Sequence, residues 1–460
     1  MDVNNKRKVA VIGGGIAGLS AAYYLRKHGV EVLLFERGKS CGGLLRSSLE
    51  EGRYLIEHGP HSFLPSANAL QRLARELSIE AQIINNKVRP AKRYVIKHGE
   101  LLEVPSHPFK LLRSPVLSFC GKIRLLGEPL VGSKASDDES LASFVRRRAG
   151  DEVLDWLVSP FISGVYAGDP EQLSAKSVMP QIVELEKKGS VLKGMKQLKK
   201  AEPHDANVGM CSFRWGMGTL TARLEEILRK DLHLQTSIES VEKLKSGKWD
   251  VCTESPRRHF EVDAVVVASP AWAAARLLSE VLPQAIAPLM QIPYVPLVVV
   301  HTAYKKRHIA HPLDGFGFLV PRKEQQRLLG CIWSSSTFEG RAPGDEALFT
   351  SYFGGATDPS ILELDDNELQ RLVHGSLEKN LQLSCEPVFC KVKRHVQAIP
   401  QYTIGHAERL KALEVEATSA AGLFFTGNYF TGISISDTIE HSRGAADRVL
   451  QHLRVWSPTF

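Results

Sequence analysis

The chain has 460 residues, too many for one hydrophobic core, so two or three domains are expected. At 43% hydrophobic and 24% charged it has an ordinary globular composition. Its net charge of +7 fits anionic ligands or an acidic membrane surface, and without an RNA-binding signature or a dense basic helix no nucleic acid is expected as a partner.

The first element is a short apolar run, Val9 to Ile12, suited to a strand buried on both faces. Gly13-Gly14-Gly15-Ile16-Ala17-Gly18 follows and opens a helix through Leu25. Gly13 permits a tight turn, Gly15 lets the backbone approach a pyrophosphate, and Gly18 lets the helix pack close to the strand. The helix N-terminus offers unpaired N–H groups to phosphates. A second strand, Val32 to Phe35, closes on Glu36, about 20 residues after the glycines, where a ribose hydroxyl acceptor belongs.

A second glycine pair with an arginine comes next, Gly42-Gly43-Leu44-Leu45-Arg46-Ser47, then Glu57-His58-Gly59-Pro60-His61-Ser62-Phe63. This order resembles the FAD-dependent amine oxidase superfamily, in which the second glycine pair and its arginine also lie on the dinucleotide. Leu70 to Leu77 has helical spacing and reads as core. His98-Gly99 joins Arg93–Ile96 to Leu101–Val104 as a hairpin.

A mostly helical region follows. Ser114-Pro115 reads as an N-cap with proline at the first position, and Val116, Phe119, Cys120, Ile123 and Leu126 fall at helical spacing. Lys110, Lys122 and Arg124 lie off that stripe. Asp151–Val158 reads as a second helix, and Pro180–Lys200 as a third, ending in Lys196, Lys199 and Lys200. Two readings stand: an all-α subdomain with a plain core, or a surface that rests on a membrane, with Phe109, Leu112, Val116, Phe119 and Ile123 apolar and the basic residues toward lipid phosphates.

From about residue 211, Phe213 to Leu220 leads into a helix Thr221–Arg229. Leu232–Leu234, Ser240–Leu244 and Trp249–Cys252 alternate like an antiparallel meander, and Ala264–Ala268 reads as a buried strand. Residues 293–396 are strand-rich (Leu297–Val300, Gly315–Val320, Leu328–Trp333, Leu348–Phe353, Val388–Val396) with a helix Asp366–Glu378. They carry no cofactor motif and read as a substrate domain. Gly422 to Asn428 is a strand and polar turn, and Thr431 to Asp437 opens a last helix, whose N-terminus suits the charge a reduced flavin gathers at its N1/O2 edge.

The seven cysteines are scattered without a CxxC, which speaks against a disulfide framework or zinc and for a reducing compartment. No signal-peptide apolar region precedes the first strand, and no apolar run approaches the ~18 residues of a membrane span. A cytoplasmic protein, peripheral on the cytoplasmic face of the membrane, is the expectation.

Ser163-Gly164-Val165-Tyr166-Ala167-Gly168-Asp169, with His58 to Phe63, Asp314 to Pro321 and Ile399-Pro400-Gln401-Tyr402, narrows the resemblance to the oxygen-dependent protoporphyrinogen oxidases of haem synthesis. The matches run through essentially the whole chain. The resemblance implies an α/β protein: a Rossmann-type FAD-binding domain in discontinuous segments, a mixed-sheet substrate domain and a helical membrane-binding insertion. The boundaries expected are 1–92, 211–285 and 397–460 for FAD, 93–210 for the insertion and 286–396 for substrate. It places Gly13, Gly15, Gly18, Glu36, Arg37, Gly43, Leu44, Arg46, Gly59, Pro60, Val241, Asn428, Ile433, Ser434 and Ile435 on non-covalent FAD. It places Arg93 on a substrate propionate and Gly164, Phe316 and Leu319 beside the tetrapyrrole. Tyr352 is a pocket candidate in a stretch where the family varies, and Ser436 stands where the family often has Asn.

The implied activity is oxidation of protoporphyrinogen IX to protoporphyrin IX, with molecular oxygen as acceptor. No metal and no catalytic side chain is expected, since the flavin carries the chemistry. His58 and His61 read either as bases or as polar packing. The implied partners are a porphyrinogen and a membrane surface, with a homodimer and the next haem-pathway enzyme as further candidates. Coproporphyrinogen III oxidation, an amine oxidase with an aromatic cage and a lysine near the flavin, and a flavin-bound scaffold remain open.

Overall fold

The computed structural model describes residues 7–87, 92–105, 108–133, 138–194 and 209–454. The strand Lys8–Ile12 lies at the centre of a five-stranded sheet, between Glu31–Phe35 and Ala264–Val267. Leu423–Phe425 and Leu232–His233 form its edges, and all neighbours run parallel. Side chains alternate across it, as a strand demands. Val9, Val11 and Val266 enter a core with the helices Ile16–Lys27 and Ile435–His452. Ala10, Ile12, Val265 and Val267 enter another with Trp249, Val251 and the helix Ala271–Leu277.

The meander differs from the sequence reading. Leu232–His233 pairs parallel with Leu34 and Phe35, and the antiparallel sheet is Ile238–Lys243, Trp249–Thr253 and His259–Val262. Alternation marks a strand but does not choose its partner.

A seven-stranded mixed sheet has the order Phe389–Pro400, Tyr294–Lys305, Glu346–Gly354, Leu328–Ile332, Gly315–Leu319, Lys92–Lys97, Glu100–Glu103. The hairpin at 92–103 therefore belongs to this sheet and not to the helical insertion, which corrects the boundary expected at 93. Its first strand pairs parallel with Gly315–Leu319. One face of the sheet buries Val298, Val300, Phe318, Phe349 and Phe353 under the helix Asp366–Leu381.

The helical region also departs from expectation at its ends. Ser114 follows the helix Pro108–Arg113, and its hydroxyl accepts from the N–H of Val116 in a turn. The true cap of Phe119–Leu126 is Ser118, whose Oγ accepts from Gly121 N, while Glu152 accepts from Ser118 N at 2.7 Å. Asp151 begins a helix that continues to Tyr166 through a π-helical stretch, Leu154–Val158. Pro160 cannot donate to the carbonyl four residues back, so the ladder slips there. The helix from Pro180 stops at Lys187, before Gly189 at φ +104. The side chain of Phe109, and Lys196, Lys199 and Lys200, lie outside the described residues.

Candidate functional site: a dinucleotide cradle and an apolar pocket

Two helices begin at the carboxyl ends of parallel strands, Ile16–Lys27 after Lys8–Ile12 and Ile435–His452 after Leu423–Phe425. They pack side by side, so their N-termini share one edge of the sheet, where open α/β sheets bind ligands. Gly13 makes the first turn at φ +111, and its N–H donates to Phe35 O. A Cβ on Gly18 would lie 1.8 Å from Gly13 O, so only glycine lets the helix sit this close. A Cβ on Gly15 would meet nothing within 4 Å, which leaves that backbone face clear for a ligand. The helix has no side-chain cap and no acid in its first turn. Its free N–H groups suit an anion.

The second glycine pair lies directly on the first. Gly42 N donates to Gly14 O at 2.8 Å, and Gly15 and Gly42 form a parallel bridge. Arg46 folds over this loop, donating to Gly43 O and Ser40 Oγ. The Glu36 carboxylate accepts from Gly14 N and Gly38 N, both at 2.7 Å. Each oxygen keeps a lone pair for a ribose hydroxyl. His58 N donates to Arg46 O, and a Cβ on Gly59 would lie 2.5 Å from Leu44 O, so Gly59 and Pro60 close the cradle beside Leu44. These residues fit an FAD whose pyrophosphate lies along the glycines.

Arg37 lies 5.9 Å over the ring of Trp272, with Arg276 at 5.6 Å over the same ring. Trp272 was not singled out from the sequence; only the fold brings it to Arg37. Val241 is fully buried in an edge strand, which leaves its main chain as the part able to face a cofactor. At the C-terminal helix, Ser434 Oγ accepts from Asp437 N and donates to the Asp437 carboxylate. Ile435 is in the core, and Ile433 packs against the helical region. Tyr402 ties Asn428 O to Gly432 N through its hydroxyl, which shapes the turn before that helix.

The other face of the seven-stranded sheet carries the substrate candidates; Val95, Val299, Thr350 and His301 on it are buried, while Leu319, Ile332 and Tyr352 are partly exposed. Strand pairing aligns Val95, Leu319, Gly330, Tyr352 and Val299 in one row. Two residues along, a second row runs Arg93, Gly317, Ile332, Thr350 and His301. Side chains two apart on a strand share a face, so Arg93, Leu319 and Tyr352 look the same way. Gly164, in the last turn of the helix ending at Tyr166, sits over Leu319: a Cβ on it would lie 2.5 Å from Leu319 Cδ2. Arg93 is exposed, and no carboxylate of the described residues pairs with it; neighbouring Lys92 and Tyr94 hold Asp314 instead. Phe316 is half-buried, edge-on to His61 with ring centroids 6.2 Å apart. Gly330 and Ile332 lay outside the sequence reading, since nothing local marks the face of a short strand with a bulge.

Burial drives the His61 imidazole well below its ordinary pKa, and neither ring nitrogen meets solvent or a partner among the described residues. Burial, with Lys393 and Arg46 nearby, lowers His58 to about 4, and its Nε2 meets Ser48 Oγ at 2.9 Å. Both rings are neutral and packed at neutral pH. Burial likewise pushes the Tyr352 phenol far above its usual value. Beneath them Glu57 and Arg341 form a buried junction. Glu57 accepts from Ser47 and Met217 N and lies 3.7 Å from Arg341, which donates to Ser212 Oγ and Phe213 O. Burial lifts Glu57 to about 7.

The model of flavin-containing amine oxidoreductases matches residues 16–450. A mitochondrial protoporphyrinogen oxidase of Nicotiana tabacum is 32% identical, covering 98% of this chain and 96% of that protein. A coproporphyrinogen III oxidase of Bacillus subtilis is 31% identical, covering 98% and 99%. A crystal structure of an Exiguobacterium protein superposes with a TM-score of 0.83 at 24% identity, covering 98% and 99%. With a dinucleotide cradle assembled from both ends of the chain and a family match across nearly its whole length, this protein belongs to the flavin-containing amine oxidoreductases and is a flavin-dependent oxidoreductase.

Proposed function

We propose that this chain oxidises protoporphyrinogen IX to protoporphyrin IX in haem biosynthesis, with oxygen as the final acceptor. The observation that carries this is the pocket floor: Val95, Leu319, Gly330, Tyr352 and Val299 in one largely apolar row, with Arg93, which no described carboxylate pairs, at its edge. An apolar macrocycle with carboxylate arms asks for that combination. An amine substrate asks for a different one. Every lysine on this face is held by protein groups: Lys97 donates to Val116 O, Lys305 pairs with Asp345 and Glu346, and Lys391 and Lys393 on the edge strand lie toward Glu50, at 3.7 and 3.9 Å.

The cradle glycines, Glu36, Arg46 and the N-terminus at Ser434 would hold FAD. Bound there, FAD would supply the hydride acceptor. Phe316, Leu319 and Tyr352 hold the ring and exclude water. Gly164 leaves room for the Leu319 side chain against which the ring lies, and Arg93 fixes a propionate and so which meso carbon is presented. The neutral, packed histidines take no proton, so the pyrrole protons leave to solvent. In this reading 1–92, 211–285 and 397–460 serve the flavin, apart from the hairpin 92–103, which joins 286–396 in serving the substrate. The helices from Pro108 rest on the cytoplasmic face of a membrane, and a homodimer or the next haem-pathway enzyme would dock from outside.

The Bacillus relative, almost as similar as the tobacco one, keeps coproporphyrinogen III as a second reading. The test is aerobic incubation of the purified protein with each porphyrinogen, following porphyrin fluorescence and peroxide. Faster turnover of protoporphyrinogen is expected. Turnover of coproporphyrinogen alone would establish the second reading, and no flavin-dependent turnover of either would end both.

A further inference from the structure

We propose that Gly330 is a positioning residue of the pocket: with Gly164 it fixes the placement of Leu319, and through it the depth at which a macrocycle lies. The proposal rests on the porphyrinogen reading. Neither glycine has a positive φ, so backbone conformation does not explain them. Space does. A Cβ on Gly330 would lie 3.0 Å from Leu319 Cδ2 and 2.8 Å from Phe318 O. A Cβ on Gly164 would lie 2.5 Å from the same Leu319 methyl.

One methyl group thus fills the space left by two missing side chains, one on a helix and one on the neighbouring strand. Gly330 faces Leu319 directly in the antiparallel register and separates it from Tyr352 in the row. A glycine inside a strand weakens it, and such a glycine marks close approach. Here the approach belongs to a pocket side chain. Leu319 lies wedged between roof and floor with little freedom to turn, as close packing requires. Any ring resting on it inherits that position. Shifts of about 1 Å in a reacting pair cost up to roughly a hundredfold in rate.

The test is a double-mutant cycle read by kcat, KM, FAD content and melting temperature on protoporphyrinogen. Gly164→Ala and Gly330→Ala are each expected to lower kcat by about tenfold or more, since each displaces Leu319 from its productive place. FAD content should stay at the wild-type level. Alanine is the better helix former at Gly164, and an unchanged melting temperature separates a displaced Leu319 from a loss of stability.

Leu319→Val withdraws the methyls and slows turnover by itself. Adding either glycine variant to Leu319→Val should cost little more, so that the double falls well short of the product of the singles. Effects that multiply, or glycine variants with wild-type kcat, would overturn the proposal. So would a Gly330→Ala protein that loses FAD in both backgrounds, since Gly330 would then serve the sheet. A wild type that turns over no porphyrinogen overturns the functional reading and this inference with it. An active wild type with multiplicative variants overturns the inference alone.

Discussion

Arg93 occupies a position that an ordinary surface arginine would not. It is opposite Gly317, which leaves space beside it, and on the same face as Leu319 and Tyr352. Its neighbour Lys92 is spent on Asp314, while Arg93 keeps its guanidinium free of described carboxylates. A guanidinium binds a carboxylate with two parallel hydrogen bonds and stays charged. Losing a charge-assisted hydrogen bond costs about 1.5–3 kcal/mol. Arg93→Ala is therefore expected to lower kcat/KM on a porphyrinogen by roughly ten- to a hundredfold. FAD content and melting temperature should not change. Wild-type kinetics in the variant would reduce Arg93 to a surface charge.

Among the elements, the helix Phe119–Leu126 exposes an apolar side. Phe119, Ile123, Leu126 and, beyond the helix end, Leu130 are 76%, 55%, 58% and 91% exposed and follow helical spacing. Val116, expected on that side, is buried with Val95 and Trp156. Arg124 is also unavailable to lipid: its guanidinium donates to Arg146 O, Arg147 O and Arg148 O at the end of the helix Leu141–Ala149. Affinity for a bilayer would then come from the four apolar side chains, at about 1.5–3 kcal/mol for each fully buried. Lys122 would add about 1 kcal/mol near an anionic surface. The protein is expected to float with anionic liposomes, and replacing these four residues by serine should return it to the bottom fraction. Equal sedimentation of the native protein with and without lipid would leave the face without a membrane role.

The same region is held by a buried ion pair. Glu128 and Arg148 are each 2% exposed and bonded to one another, and Glu128 also accepts from Ser190 Oγ, Val191 N and Leu192 N. Burial alone would raise the Glu128 pKa, but these donors outweigh it and hold the carboxyl below its usual range. A depressed folded-state pKa means stability that is complete above the ordinary carboxylate range and lost as pH falls through the folded value. Glu128→Gln removes the carboxylate bonded to Arg148 and leaves only Glu186, 3.7 Å away, as its counter-charge, so the loss at neutral pH should stay at or below about 3 kcal/mol. The melting-temperature gap between wild type and variant should narrow below about pH 4. A gap constant down to pH 3 would show that Glu128 acts through shape and not charge.

At the scale of the whole molecule, the cofactor site exists only when both ends of the chain meet. The strands Lys8–Ile12 and Leu423–Phe425 share one sheet through Ala264–Val267, and the two helices that follow them pack together. The FAD should be tight but not covalent. Cys41, the cysteine beside the glycine loop, is buried, and burial pushes its thiol up to about 12, with Glu225 and Glu36 adding to the shift. A thiol in that state is a poor nucleophile. Acid precipitation is expected to release all the flavin into the supernatant, and flavin remaining in the pellet would contradict this.

What the sequence by itself determined is local in its physics. The glycine spacing at 13–18, the acid at Glu36, the continuous apolar runs Val9–Ile12 and Ala264–Val267, and the helix after Ser434 depend on neighbours a few residues away. They appear in the structure where the sequence places them. The resemblance added residues that no periodicity marks, such as Gly164 and Leu319. The tertiary structure decided the partners. The pairing of 92–103 with Gly315–Leu319, the commitment of Arg124 to a helix end and the Glu57–Arg341 junction all join segments remote along the chain. Strand register settled which side chains share the pocket face, and with it the slot at Gly330. A sequence carries the period of a strand, but the face it turns to a ligand depends on which neighbour it pairs with.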